Sequence, residues 1–107
     1  MEHETAIDAL SSLAHATRLS VFRLLVQTGA DGLPAGEIAR RVGAAPSTLS
    51  HHLALLERAH LLTSRRVQRQ IFYAADYAGS RALLAYLMQD CCQGRTEICG
   101  DLLAACA

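Results

Sequence analysis

The sequence predicts a mainly α-helical domain with one small β-hairpin, that is, an α+β fold. Over the first sixty residues, and again after residue 76, apolar residues recur at the three- and four-residue spacing of amphipathic helices. Between these parts, the short segments LLTSRR and QIFYAA carry β-branched and aromatic residues, which favours strands. A chain of 107 residues has the size of one domain.

Four helices are expected before the hairpin, over residues 3–14, 16–27, 34–42 and 46–59, with a turn at 30–33. Gly29 and Gly43 suit helix ends, and Pro34 and Pro46 suit first helical turns. In the fourth helix we expect Leu49, Leu53 and Leu56 to face inward. The apolar stripes of the first three helices are Ile7, Leu10, Leu13 and Ala14; Leu19, Phe22 and Val26; and Ile38 and Val42.

The hairpin and the helix after it complete the element order. The strands flank Val67-Gln68-Arg69, which lacks Gly and Asn, so we expect a loose loop rather than a tight two-residue turn. The last helix begins near Asp76, with Asp76 or Ser80 as its cap, and is apolar over most of its circumference. Such a helix at the end of a small domain needs a partner, which predicts a homodimer.

Two short helices followed by a hairpin form a winged helix-turn-helix, which makes the fourth helix the candidate to enter a DNA groove. Small hydroxyl and imidazole side chains approach base edges and phosphates closely, and arginines on a wing can contact a neighbouring backbone. The alternative is an ordinary helix start with surface histidines. The candidate DNA-binding residues are Ser47, Thr48, Ser50, His51, His52, Arg65, Arg66 and Arg69.

The charge distribution is uneven although the net charge is zero. All ten basic residues are arginines, and residues 37–70 hold six of them against two acids. A basic middle suits nucleic acid, although the charge alone slightly favours the alternative of a solvated arginine-rich surface. No apolar run reaches the roughly 18 residues of a membrane helix, and MEHETAIDAL does not resemble a signal peptide. We therefore expect a cytoplasmic protein with no membrane partner.

Two stretches carry a specific family resemblance: LSSLAHATRLSVFRLL, and STLSHHLALLERAHLL leading into an arginine-rich wing that ends at Tyr73. Over about residues 10–90 the chain resembles the ArsR/SmtB family of bacterial metal-responsive repressors. The resemblance implies a homodimer held by its first and last helices, which binds double-stranded operator DNA until an inducer ion releases it. Two positions depart from the family pattern: Val67-Gln68 replaces the usual Glu-Gly of the wing, and His60 stands where Gly is common.

All four cysteines, Cys91, Cys92, Cys99 and Cys106, lie in the last seventeen residues. The family's cysteine site in the third helix is absent from AGEIARR, and its zinc-type site is absent because the last helix has no histidine. Soft thiolates select thiophilic ions. Adjacent cysteines followed closely by a third resemble an arsenic-sensing subset of the family. That resemblance implies As(III), or Sb(III), on Cys91, Cys92 and Cys99, with Cys106 as a possible further ligand and no organic cofactor.

We accordingly assign residues 1–92 to DNA binding and dimerisation, and 93–107 to a flexible tail that completes the inducer site of a repressor of arsenic resistance genes. Three alternatives stay open: a zinc or cadmium site with Cys106 as fourth ligand, a thiol redox switch, and incidental cysteines. The redox branch of the family pairs a cysteine of the second helix with one of the last, and the second helix here has none. An arsenate reductase would need an anion loop beside a low-pKa thiol. The sequence shows no such loop, so we expect neither an enzyme nor an enzyme substrate.

Overall fold

The computed structural model of the chain describes residues 1–89. Among these residues the expected α+β architecture is confirmed, with five helices around a small antiparallel sheet. The predicted domain boundary after residue 92 lies outside the described residues. In chain order the elements are α1 (His3–Leu13), α2 (Ala16–Thr28), β1 (Leu33–Pro34), α3 (Ala35–Val42), α4 (Pro46–Arg58), β2 (Leu62–Val67), β3 (Gln70–Ala75) and α5 (Tyr77–Leu87).

The sheet has a third strand that the sequence did not predict. β1 pairs antiparallel with β3, with Leu33 opposite Tyr73, so the sheet order is β1-β3-β2. Residue 33 therefore belongs to a strand rather than to the turn, and Pro34 precedes α3 as its N-cap instead of starting it. A proline is tolerated here because an edge strand need not donate every N–H. Gly32 has φ 70°, and a Cβ there would collide with the Tyr73 carbonyl, so this approach of β1 to β3 requires glycine.

The hairpin turn is tighter than expected. Val67 pairs with Gln70, which leaves a two-residue turn of Gln68 and Arg69, so the prediction of a loose loop was wrong. Gln68 adopts a positive φ of 58° without being glycine or asparagine, a conformation that costs roughly 1–2 kcal/mol for an L-residue. The Arg66 Nε donates to the Gln68 carbonyl at 3.2 Å and so stabilises the turn from within the wing.

The core is built around α4. Leu49, Leu53 and Leu56 are at most 1% exposed, which confirms the inward stripe predicted for this helix. α1 and α2 instead bury residues beside their predicted stripes: α1 buries Ala6 and Ala9, and α2 buries Val21 and Leu25. Five residues of the predicted stripes are exposed: Ala14, and also Ile7 and Leu10 at 43%, Leu19 at 45% and Val26 at 40%.

α5 starts directly against the end of α4. Asp76 caps it by accepting from the Gly79 N–H at 2.9 Å, which confirms one of the two predicted caps. His60 lies in the left-handed region with φ 64°, and its carbonyl oxygen occupies the space that a Cβ on Gly79 would need. Within its described length α5 buries Leu83 and leaves Leu84 and Leu87 exposed. None of the helices among residues 1–89 has both the length and the apolar character to cross a membrane.

Candidate nucleic-acid interface

The N-terminus of α4 presents backbone donors to solvent. Pro46 occupies the first turn, where its missing N–H costs nothing. Ala45 stands at the N-cap position and provides no side-chain hydrogen bond to the helix. The N–H groups of Ser47 and Thr48 therefore have no side-chain cap at Ala45, and they lie at the positive end of the helix dipole. Such a terminus suits an anion, including a DNA phosphate.

Four of the five candidates on α4 have the exposure that the sequence predicts. Ser47, Thr48, Ser50 and His51 are all exposed on the N-terminal half of the helix. The Ser50 hydroxyl donates to the Pro46 carbonyl at 3.2 Å, which leaves its oxygen able to accept. These side chains form a small polar surface beside the uncapped N–H groups.

His52 differs from the prediction, because it is only 6% exposed and does not face solvent with the other four. Its Nδ1 accepts from the Arg18 guanidinium at 3.2 Å, and its ring lies 4.6 Å from that of His15. Burial lowers the pKa of His52, and His15, Arg18 and His51 lower it further. The spacing of His52 from its neighbours in the sequence also predicts that it is buried. Position 52 is three residues after Leu49 and four before Leu56, on the inward stripe.

The three hairpin arginines are exposed but differ in what they contact. Arg65 donates to the Asp31 carbonyl at 2.9 Å, and its guanidinium lies 5.0 Å from the centre of the Phe72 ring. It therefore ties the wing to the loop before β1. Arg66 is one position along and points to the opposite face of the hairpin. Arg69 lies in the turn itself.

The wing and the recognition helix α4 share one open groove. Ser50 of α4 lines it on one side and Arg69 and Tyr73 of the hairpin line it on the other, with residues 34–36 at its end. Burial raises the pKa of the Tyr73 hydroxyl, and the Glu57 carboxylate raises it further, so that Tyr73 is a neutral hydrogen-bond donor at physiological pH. The geometry thus brings Ser50 and Arg69, two candidates that are 19 residues apart in sequence, to one groove.

The positive charge of the central region is concentrated on the wing. On α3, Glu37 forms ion pairs with Arg40 and Arg41. The hydrogen bonds from Arg40 and Arg41 lower the pKa of Glu37 to about 2, so this carboxylate stays ionised and offsets part of their charge. The hairpin arginines have no such carboxylate among their hydrogen-bond partners in the described part of the chain. The hairpin arginines are therefore the main group of positive charges beside α4.

The predicted inducer ligands Cys91, Cys92, Cys99 and Cys106 all lie outside the described residues, so the structure does not test them. Within residues 1–89, no group of three or more histidine, cysteine, aspartate or glutamate side chains is arranged to hold a metal ion.

The chain is similar to known proteins both in sequence and in fold. Residues 13–65 match the family model of a helix-turn-helix domain. The chain is 32% identical to the HTH-type transcriptional regulator YgaV of Escherichia coli K12, over 83% of this chain and 88% of that one. It is 30% identical to the transcriptional activator HlyU of Vibrio cholerae, over 82% and 79% respectively. The solution structure of a homodimeric winged helix-turn-helix domain from Mycobacterium bovis, Mb0332, a possible ArsR-family regulator, superposes with a TM-score of 0.66 at 25% identity. That match covers 81% of this chain and 80% of the other. These relatives are regulators of transcription rather than enzymes.

Proposed function

The chain belongs to the winged helix-turn-helix transcriptional regulators of the ArsR/HlyU/NolR type, and from this we propose that it is a homodimeric, arsenic-released repressor. In the proposed cycle, the ligand-free dimer binds an inverted repeat and As(III) on the C-terminal thiolates weakens that binding. The relative HlyU is named an activator, so its name does not support repression. That this chain represses transcription is therefore part of the proposal.

The single observation that best supports the proposed DNA recognition is the groove shared by α4 and the wing. The exposed N-terminal half of α4 would enter the major groove, with Ser47, Thr48, Ser50 and His51 facing base edges and phosphates. Arg66 and Arg69 would contact the phosphates of the flanking backbone. Arg65 would act mainly by holding the wing, through Asp31 and Phe72.

The proposed dimer interface consists of the exposed apolar residues of α1 and α5. Ile7 and Leu10 are 43% exposed, Leu84 is 59% exposed and Leu87 is 47% exposed. α1 and α5 pack together within the protomer, and the His3 imidazole hydrogen-bonds the Tyr86 hydroxyl at 2.8 Å between them. One patch on each subunit can therefore meet its copy about a two-fold axis, which is the usual geometry of a homodimer. The homodimeric Mb0332 domain supports dimerisation of this fold.

The proposed sensor begins at Cys91, four residues beyond the last residue of α5 in the sequence. Cys91 comes five residues after Tyr86, and therefore just beyond the part of α5 that contacts α1. Three thiolates suit trivalent arsenic or antimony, and Cys91, Cys92 and Cys99 lie within nine residues of one another. Ion binding there can pull on the proposed dimer interface and change the spacing of the two α4 helices. A coupling of a few kcal/mol is enough, because every 1.4 kcal/mol is about tenfold in affinity.

The test is release of reduced protein from labelled DNA taken from upstream of its own reading frame, followed by fluorescence anisotropy. Arsenite should release the wild type, and Cys91→Ser, Cys92→Ser and Cys99→Ser should each bind DNA normally but respond weakly or not at all. Cys106→Ser is the matched control and should respond like the wild type. Release by zinc, by cadmium or by a thiol oxidant, with no response to arsenite or antimonite, would replace the proposed inducer.

A further inference from the structure

We infer that His52 is a positioning residue for DNA binding: in its neutral form it fixes the recognition helix α4 against the α1–α2 junction, and its protonation loosens that contact and weakens operator binding. This inference rests on the proposed DNA-binding role of α4. It starts from the observation that a histidine in the middle of the recognition helix faces the core, while its neighbour His51 is exposed.

Arg18 joins three parts of the molecule through one side chain. From α2, its Nε donates to the carbonyl oxygen of Ser12, in the last turn of α1, at 2.6 Å. Its Nη1 lies 3.2 Å from the Nδ1 of His52 on α4. A guanidinium is always charged and can only donate, so His52 must accept through Nδ1 and carry its proton on Nε2. The end of α1, the start of α2 and the middle of α4 are therefore held together through the neutral imidazole.

His15 completes the contact from the same junction. It is the N-cap of α2, where its Nδ1 accepts from the Thr17 N–H at 3.2 Å. Its ring lies 4.6 Å from the His52 ring. The group that caps α2 thus also packs against the recognition helix. A shift of α4 at His52 would disturb both the Arg18 bridge and this packing.

Protonation of His52 would break the contact from two directions. A proton on Nδ1 removes the acceptor for Arg18 and places a second cation beside the guanidinium in a buried site. The groups that lower its pKa, after burial itself, are His15, Arg18 and His51, all of them bases. Glu57, on α4 itself, accepts from Ser64, and Glu37, on α3 packed against α4, is engaged with Arg40 and Arg41. No carboxylate of the described residues is among the groups that shift the pKa of His52.

The sign of the pH effect follows from linkage. Because the pKa of His52 is lowered in the folded protein, the anchored state binds fewer protons than the released or unfolded state as pH falls through the ordinary histidine value of about 6.5. The anchored state therefore loses stability on acidification.

The experiment compares the wild type with His52→Asn. Asparagine offers a carbonyl oxygen close to the position of Nδ1 and does not titrate in this range. Operator affinity is measured by anisotropy between about pH 7.5 and 5.5 at constant ionic strength, with urea unfolding at each pH. The wild type should lose about threefold to tenfold in affinity on acidification, on the scale of tenfold per pKa unit. His52→Asn should keep its affinity across this range, because the buried imidazole whose protonation loosens the contact is absent.

The matched control is His60→Asn, which removes an exposed histidine outside the cluster and tolerates the left-handed backbone there. It should keep the wild-type profile. Identical pH profiles for wild type and His52→Asn would overturn the inference while leaving DNA binding intact. Absence of DNA binding at every pH would instead remove the proposed function. In that case, or if His52→Asn does not fold, NMR titration of the His52 ring in the wild type tests whether the neutral imidazole is anchored. A titration midpoint below about pH 6.5 supports the anchored neutral imidazole, and a midpoint above about pH 6.5 contradicts it.

Discussion

The leucines of α4 and the apolar residues of α1 and α5 look alike in sequence and differ in the structure. Leu49, Leu53 and Leu56 are at most 1% exposed, whereas Leu84 and Leu87 are 59% and 47% exposed. α4 is covered by α1, α2, α3 and β2, while α5 lies at the edge of the protomer against α1. Helical spacing therefore identifies the apolar face of a helix, but it does not show whether the same protomer or a second copy covers that face. Within the described residues, the exposed faces of α1 and α5 are those that our account assigns to a second copy.

The largest expected effect comes from the buried set. Leu53→Ala should lower the free energy of unfolding by about 2–5 kcal/mol, because it leaves a cavity in the centre of the core. Leu84→Ala should leave the unfolding of the isolated protomer within about 1 kcal/mol of the wild type. Urea unfolding at several protein concentrations measures both and separates folding from association. Equal losses in the two variants at low concentration would erase the distinction between the two faces.

The exposed set should control association instead. Leu84→Glu would place two carboxylates in the proposed interface and should weaken dimerisation by at least about 3 kcal/mol, a factor on the order of 100. Sedimentation equilibrium measures this, with circular dichroism to verify that the protomer stays folded. Leu19→Glu is the matched control, because Leu19 is 45% exposed on α2, outside the proposed interface. A dimer that survives Leu84→Glu but not Leu19→Glu would move the interface to α2.

The joint between α4 and α5 gives a smaller effect that depends on backbone contact. Gly79→Ala should lower the free energy of unfolding by about 1–3 kcal/mol, because its Cβ would run into the His60 carbonyl oxygen. Gly36→Ala is the control in α3, where a Cβ meets no atom within 4 Å and alanine favours the helix by about 0.5–1 kcal/mol. Urea unfolding of the two variants should therefore shift in opposite directions. A Gly79→Ala protein as stable as the wild type would contradict the close packing of this joint.

The smallest expected effect separates two arginines of the wing. Arg69→Ala should reduce the slope of log K against log salt concentration by about one per subunit, because one phosphate contact is lost. Arg65→Ala should change that slope less, because its guanidinium is held by Asp31 and Phe72. Anisotropy titrations at four salt concentrations provide both slopes. The sequence alone gives Arg65 and Arg69 the same role as candidate DNA contacts. Equal slopes for the two variants would favour that simpler hypothesis over the difference in contacts that the structure shows.

The sequence predicts the helices, the hairpin and the cap of α5 because those features depend on local chemistry. β1 was missed because two residues, one of them a proline, carry no strand periodicity. The tight turn was missed because Gln68 adopts a backbone conformation that its residue type disfavours. The residue type of His52 predicts an outward DNA contact, because imidazole can bind DNA, whereas its spacing from Leu49 and Leu56 predicts the inward face on which the structure finds it. The cysteine site remains a prediction from sequence alone.

The central claim, that two copies of α4 and the wing bind DNA together about a two-fold axis, is tested most directly by sedimentation of the reduced protein with an inverted-repeat duplex. The same duplex with one half-site scrambled serves as the control. Our account predicts two chains on the intact repeat and a loss in affinity of at least about a hundredfold when one half-site is scrambled, because only one α4 can then make its base contacts. One chain per intact repeat, or equal affinity for the two duplexes, would contradict it.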